Sequence, residues 1–263
     1  MTTLDLTGKV ALITGVGQNI GLATARLLAG AGAAVALNDL DAALADAAAR
    51  ELQAAGATAL ALPADIRDRA AVAGMVQAVE AAWGHVDVLV NCAGAGSFAP
   101  VLEMAEEAWD RELDTNLKGT FLVSQAVARA MVARGQGGRI VCLASTAAES
   151  ARLGGASHCA SKAGVVMLVK VMALELGPHG ITVNAVSPGL VPGPQQSSTA
   201  AYRDAYCQMV PLGRLGRPED IAAAIGFLAS DAAAWITGAV LHVDGGFLAG
   251  RALPHSVPPA AGR

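Results

Sequence analysis

Apolar residues in this chain gather in short blocks, and the spacing within the blocks alternates between two kinds. Compact apolar runs predict strands at residues 9–13, 33–37, 58–62, 86–90, 139–143, 181–186 and 239–243. Between them, apolar positions recurring at helical spacing predict helices at 20–31, 41–55, 67–83, 106–134, 156–176 and 218–230, with a weaker helical stretch at 199–209. The long 106–134 segment should break near Asp110. The 156–176 helix is apolar nearly all round, which implies cover on several sides. Strands alternating with helices require crossover connections and hence a parallel sheet. Right-handed crossovers place helices on both faces. The expected fold class is therefore α/β, a single doubly wound parallel sheet of about seven strands. In such a sheet ligands sit beyond the carboxyl ends of the strands. Neither an internal repeat nor an interdomain linker interrupts the pattern. We expect one domain over 1–250, a Pro-, Gly- and Ser-rich lid at about 190–215, and a tail at 251–263.

Composition narrows the function classes. With 263 residues, 54% hydrophobic and 15% charged, the chain can bury a substantial core. The net charge of −4 and the absence of a basic patch argue against nucleic acid as a partner. Mean hydropathy is high at +0.47. Yet no apolar run approaches the roughly 20 residues of a membrane span. The excess of Ala, Val and Leu suits buried parallel strands and helices covered by other subunits. Residues 1–8 lack a basic region followed by an apolar core, so no signal peptide is expected and a cytoplasmic location is. The separations of Cys92, Cys142, Cys159 and Cys207 fit no zinc or CxxC pattern, and the histidines lack ligand spacing, so no metal is expected.

Candidate chemistry begins after the first strand. Thr14-Gly15-Val16-Gly17-Gln18-Asn19-Ile20-Gly21 joins it to the first helix. Glycines there permit a tight turn, and the backbone N–H groups and helix N-terminus can receive a pyrophosphate. A plain strand–helix turn is the alternative, but the position within a βαβ unit favours the nucleotide reading. Asp39 follows 18 residues after Gly21, at the end of the second strand, where an acid can bind adenosine ribose hydroxyls. A carboxylate repels a 2′-phosphate, and neither Lys nor Arg stands at 16–19 or 38–41. NAD is favoured over NADP.

These residues resemble the short-chain dehydrogenase/reductase family, and the likeness extends over residues 6–248. The glycine-rich turn is similar to that family's Thr-Gly-xxx-Gly-x-Gly, with Asn19 at the second glycine of that pattern; Asn tolerates left-handed backbone angles. Asp65-Ile66 resembles the pair that contacts adenine, and Asn91-Cys92-Ala93-Gly94 the turn after strand four. Asn116 resembles the helix-four Asn of the catalytic set, and Ser145 the substrate-orienting Ser. The segment 183–189 resembles the stretch beside the nicotinamide, and 211–214, 236–238 and 244–246 resemble C-terminal signatures. The resemblance implies a Rossmann-type fold and a homotetramer or homodimer built on the long helices. It implies cofactor contacts at Gly15, Gln18, Asn19, Ile20, Gly21, Asp39, Leu40, Asp65, Ile66, Asn91, Ala93, Gly94, Lys162, Pro188 and Val191. The implied catalytic set is Asn116, Ser145, His158 and Lys162.

One position breaks the family pattern. The family's Tyr-xxx-Lys places Tyr 13 residues after the Ser; here that position is His158, followed by Lys162. Their i, i+4 spacing puts both on one helix face. Imidazole, with an ordinary pKa of roughly 6.5 against roughly 10 for phenol, can act as a base without much adjustment. The Lys162 cation should disfavour a second positive charge and keep the ring neutral. Three readings are open. His158 is the acid/base of an NAD-dependent oxidoreductase interconverting a secondary alcohol and a ketone; or the fold performs non-redox lyase, dehydratase or cyclase chemistry; or the protein binds nucleotide with impaired catalysis. Gly193 also departs, where a Thr is usual. Tyr202 and Tyr206 either offer a phenol to the site or pack the lid. Arg152 either meets an anionic substrate or is an exposed loop residue. The pocket segments 95–99, 146–158 and 190–210 are mostly small and apolar, which suggests a modest apolar small-molecule substrate.

Overall fold

A computed structural model describes residues 4–193 and 199–250. β1 (Val10–Thr14) leads into α1 (Asn19–Gly30), β2 (Ala34–Asn38) into α2 (Ala42–Ala54), and β3 (Ala59–Ala61) into α3 (Arg69–Trp83). β4 (Val88–Asn91) leads into α4 (Glu106–Leu113), which passes through a π-helical turn at Asp114–Gly119 into α5 (Thr120–Arg134). β5 (Gly138–Leu143), α6 (Ala156–Leu176), β6 (Ile181–Pro188), α7 (Ala200–Met209), α8 (Pro218–Ala229) and β7 (Val240–Val243) follow. The sheet order is β3-β2-β1-β4-β5-β6-β7. Every pairing is parallel. Chain order reverses between β1 and β4, which opens a crevice above their carboxyl ends. The tail 251–263, and residues 194–198 of the expected lid, lie outside the described residues.

The strands read as unbroken apolar runs because both faces are covered. Successive side chains of a strand point to opposite faces. Val10 and Leu12 pack with Leu89, Val123, Ile140 and Val169 under α5 and α6. Ala11 and Ile13 pack with Leu28, Leu37, Ile221 and Ile225 under α1 and α8. Helix starts follow local chemistry. Asp41 and Asp68 cap α2 and α3, accepting the N–H groups of Ala43 and Ala70 at 2.8 Å each. Pro218 opens α8 at its first turn.

One expectation is corrected and another is made more specific. The break in the 106–134 segment lies at Asp114–Gly119, not near Asp110. Asn116 causes it to sit there: its buried amide leaves the helix to pair with the Ala95 backbone, accepting Ala95 N–H at 2.8 Å and donating to Ala95 O at 3.0 Å. Thr120 Oγ1 donates to Asn116 O at 2.7 Å within the widened turn. Gly119 lets this turn press on the β3–α3 connection, since a Cβ there would lie 2.7 Å from Ile66 Cδ1. Secondly, the chain itself covers α6 on one face only. Val165, Val169 and Met172 are buried, while Met167, Val171 and Leu174 are exposed. Among the described residues no helix is long and apolar enough to cross a membrane.

Asp87 fastens the base of the sheet. Its Oδ2 accepts Val10 N–H at 2.8 Å, and its Oδ1 accepts Arg134 Nη2 at 2.9 Å. His85 Nε2 stands 3.0 Å from the same carboxylate. Burial works against the charge, but the Val10 N–H, the Arg134 guanidinium and the His85 ring outweigh it and hold the carboxyl below the usual carboxylate range. A depressed folded pKa gives stability that is present above the unfolded value, about 3.9, and is lost as pH falls through the folded one. Asp87→Ala should therefore cost about 2–3 kcal/mol at neutral pH. Urea unfolding of both proteins checks it: the gap should narrow steadily below about pH 4.

Candidate active site

The β1–α1 turn is held tight by contacts that exclude side chains. Gly15 has φ +69°, and a Cβ there would lie 2.6 Å from Ala93 Cα. A Cβ on Gly21 would lie 2.0 Å from Gly15 O. Thr14 Oγ1 accepts Ala93 N–H at 3.2 Å, joining this turn to the one after β4. Asn19 has φ +61° and is the one non-glycine residue with positive φ among the described residues. The left-handed tolerance expected of Asn is therefore used. Gln18 precedes α1 in extended conformation, and Ile20 begins the helix. Asp39 reaches back to this turn. Its Oδ2 accepts Gly17 N–H at 2.8 Å and its Oδ1 accepts Asp41 N–H at 3.0 Å. Leu40 beside it is exposed.

Gly193 and Asn19 are linked. A Cβ on Gly193 would lie 2.7 Å from Asn19 Nδ2. Asn19 thus occupies room that a side chain at 193 would need, so the two departures from the family pattern answer each other. Asn19 Oδ1 is buried without a hydrogen-bond partner. What fits a dinucleotide diphosphate here is the set of donors: the first N–H groups of α1 have no intrahelical acceptor, and the glycines at 15 and 21 leave no Cβ between them and a ligand.

The rest of the expected cofactor wall is placed unevenly. Ile66 is buried, and Asp65 pairs with Arg67 at 2.7 Å. Asn38 Nδ2 donates to Leu62 O and Ala64 O at 3.0 Å each and shapes that rim. Gly94 faces the catalytic cluster: a Cβ there would lie 3.1 Å from Asn116 Oδ1 and 3.8 Å from Lys162 Nζ. Pro188 ends β6, and Val191 is buried just beyond it. Asn91 turns its side chain inward. It is buried, and its Nδ2 donates to Ser124 Oγ at 2.9 Å, so the amide braces β4 against α5.

Asn116 and Lys162 flank Gly94 at the end of β4, His158 lies one turn before Lys162 on α6, and Ser145 follows β5. Lys162 is nearly buried and donates to Leu143 O at 2.7 Å. Burial pushes its ammonium down to about 8, although Cys92, Cys142 and Glu112 pull the other way. Asn116 Nδ2 donates to Ser161 Oγ at 3.0 Å, one position before Lys162. Ser145 Oγ accepts Ala147 N–H at 3.1 Å. His158 Nδ1 stands 2.9 Å from Glu112 Oε1.

Glu112 escaped the sequence reading. It is fully buried, the sole acid of the described residues at zero exposure. Ser157 Oγ donates to its Oε2 at 2.6 Å and Ser97 N–H at 3.0 Å; Asn116 Nδ2 lies 3.5 Å from its Oε1. Burial raises its carboxyl, but the His158 ring, the Ser157 hydroxyl and the Ser97 N–H more than reverse that, leaving it below the usual carboxylate range. Its one sequence signal is the i, i+4 spacing to Asn116, which places both on the same helix face. His158 therefore has an anion against Nδ1, and the expectation that Lys162 alone sets its electrostatics is incomplete.

Aromatic and cationic side chains stand beside His158. The Phe98 ring centroid lies 6.0 Å from that of His158. Arg152 stacks on Phe98 at 4.3 Å and stands 5.2 Å from the Tyr202 ring. The Tyr206 phenol is committed to packing: its oxygen accepts Leu190 N–H at 3.0 Å and its ring stacks on Phe247 at 5.1 Å.

Known proteins resemble this chain in sequence and in fold. A family model described as enoyl-(acyl carrier protein) reductase matches residues 15–248. The chain is 43% identical over 244 residues to D-threitol dehydrogenase of Mycolicibacterium smegmatis, covering 92% of this chain and 94% of the relative. It is 40% identical over 252 residues to (3R)-3-hydroxyacyl-CoA dehydrogenase of Mus musculus, covering 92% and 97%. A short-chain type dehydrogenase/reductase from Mycobacterium marinum superposes with TM-score 0.89 at 39% identity, over 93% of this chain and 97% of that one. A gluconate 5-dehydrogenase from Burkholderia cenocepacia, solved with NADP and tartrate, superposes with TM-score 0.90 at 37% identity, over 94% and 98%. With its seven-stranded parallel sheet and these relatives, the chain belongs to the short-chain dehydrogenase/reductase family and is an oxidoreductase of that type.

Proposed function

We propose that the protein is an NAD-dependent dehydrogenase that interconverts a secondary alcohol and a ketone, with His158 as the proton donor and acceptor. The observation that carries this reading is the position of His158: it sits one helical turn before Lys162, partly exposed, with Nδ1 held by a buried carboxylate. Relatives named as dehydrogenases favour redox chemistry over the lyase and impaired readings. Nicotinamide dinucleotide, when bound, supplies the hydride acceptor or donor. The chain's own residues do the remaining work. The 15–21 turn receives the diphosphate through its backbone N–H groups. Asp39 and Leu40 hold the adenosine ribose, with Asp65 and Ile66 at the adenine. The backbone around Ala93 and Gly94, with Pro188 and Val191, closes the nicotinamide end. Lys162 holds the nicotinamide ribose, Asn116 a relay water, and Ser145 the substrate oxygen. His158 takes the hydroxyl proton in oxidation and returns it in reduction.

Substrate range follows from the side chains beside His158. Phe98 offers an apolar face and Arg152 a positive charge. Relatives carry names for threitol, sorbitol and hydroxyacyl-CoA dehydrogenation. Those three substrate classes form the assay panel. The exposed Met167, Val171, Leu174 and Trp235 support a homo-oligomer, tetramer or dimer.

His158→Ala should lower kcat on that panel by about 10²–10⁴-fold. NADH affinity, read by fluorescence titration, should stay within about threefold, because His158 lies outside the dinucleotide turn. Unchanged turnover would remove His158 from the reaction.

Coenzyme choice rests on Asp39, anchored by Gly17 N–H with Asp41 next to it. Two carboxylates there disfavour a 2′-phosphate. Calorimetric titration should give NADH at least about tenfold tighter binding than NADPH. Asp39→Asn should narrow that ratio. Equal binding of both coenzymes by the unaltered protein would overturn the preference.

A further inference from the structure

The His158–Glu112 contact assigns more than a neighbour to the imidazole. Glu112 holds two oxygens in a fully buried site, and each faces its own donors. Oε2 accepts Ser157 Oγ at 2.6 Å and the Ser97 backbone N–H at 3.0 Å. Oε1 faces His158 Nδ1 at 2.9 Å, with Asn116 Nδ2 at 3.5 Å. An ionised carboxylate only accepts hydrogen bonds, so the ring nitrogen against it must carry the proton. A neutral imidazole has one N–H, and Nε2 then bears the free lone pair.

We propose that Glu112 is the positioning residue of the reaction: it fixes His158 as the Nδ1–H tautomer, leaves Nε2 as the base toward the substrate hydroxyl, and steadies the imidazolium formed when that proton is taken. The proposal rests on the reading of His158 as acid/base. In the step itself the hydroxyl O–H bond breaks, its electron pair stays on oxygen, and the Nε2 lone pair forms the new N–H bond. The ring gains one positive charge, which Glu112 meets at Nδ1. In return, reprotonation of the substrate oxygen restores the neutral ring with its proton still at Nδ1. A buried carboxylate that orients an imidazole and stabilises its cation is a known device for making histidine a base. The charged groups facing the ring are Glu112 from α4, Lys162 one turn along α6, and Arg152 on the far side of Phe98. Glu112 is thus the anion directly hydrogen-bonded to it.

A simple packing role would predict little from an isosteric amide, but the donors around Oε2 make a sharper demand. The Ser97 N–H is backbone and needs an acceptor. In Glu112→Gln the amide oxygen must therefore take the Oε2 position. The amide NH₂ then takes the Oε1 position and donates to Nδ1. That forces the opposite tautomer, with the proton on Nε2 and no base toward the cleft.

The test combines histidine ¹⁵N NMR at pH 8 with steady-state kinetics on the full chain, using the best substrate among D-threitol, sorbitol and a (3R)-3-hydroxyacyl-CoA. The His158 signal is the one absent from His158→Ala. Wild type should show a protonated Nδ1 and a bare Nε2. Glu112→Gln should reverse the two and lower kcat by on the order of 10²–10⁴-fold, with KM and NADH affinity within about threefold. Glu112→Asp, which keeps a carboxylate, should retain the wild-type tautomer and recover part of the rate. In a His158→Ala background, Glu112→Gln should add less than about a threefold loss, since residues acting as a unit are not additive. A wild-type spectrum with the proton on Nε2 overturns the proposal, and it needs no Glu112 variant to fold. A fully active Glu112→Gln beside an inactive His158→Ala also overturns it while leaving His158 as the acid/base. An active His158→Ala overturns the underlying reading and the proposal with it.

Discussion

A carboxylate withdrawn from water costs several kcal/mol unless donors surround it. Glu112 imposes that constraint on the centre of this molecule. Its donors come from three places far apart in the chain: Ser97 on the loop after β4, Asn116 in the π-helical turn, and Ser157 with His158 at the start of α6. Meeting the charge brings these segments together at one point. The same convergence delivers Asn116 beside Ser161 and sets Lys162 against the end of β5. The π turn belongs to this arrangement. Widening the helix there frees Asn116 to bind the Ala95 backbone, and π insertions are common where helices serve a site.

The other end of the site is organised by close approach rather than by charge. Gly15 and Gly21 are pressed against backbone that no Cβ could share. Asn19 takes the left-handed position, and its side chain occupies the space beside Gly193. The two departures from the family pattern form one steric exchange across the cleft. Asp39 then ties β2 to the same turn through Gly17 N–H. A scaffold buried on both faces holds the two ends in fixed relation, because the strands that carry them, β1, β4 and β5, lie side by side in the sheet.

Periodicity made the parallel sheet and its seven strands legible, since strands covered on both faces leave continuous apolar runs. Element ends were less legible: β3 at the sheet edge is only Ala59–Ala61, and α3 waits for its Asp68 cap. For the candidate site, short motifs pointed to Asp39, Asn116, Ser145, His158 and Lys162. Glu112 was not among them, because an acid in a charge-rich helical segment carries no motif of its own; only the tertiary fold shows it buried. Asn91 shows what a motif leaves out. Its motif pointed to the cofactor, whereas Ser124 and the interior claim its amide. Helix 156–176 looked buried all round because sequence cannot separate the face covered by its own chain from one left outside it.

The account's central claim is that an imidazole moves the substrate proton, and chemical rescue tests it most directly. His158→Ala would be assayed for alcohol oxidation with NAD across a series of free imidazole concentrations. The account predicts saturable restoration of turnover that tracks the neutral form of the added base. If imidazole fails to restore turnover in a variant that still binds NADH normally, the claim is contradicted.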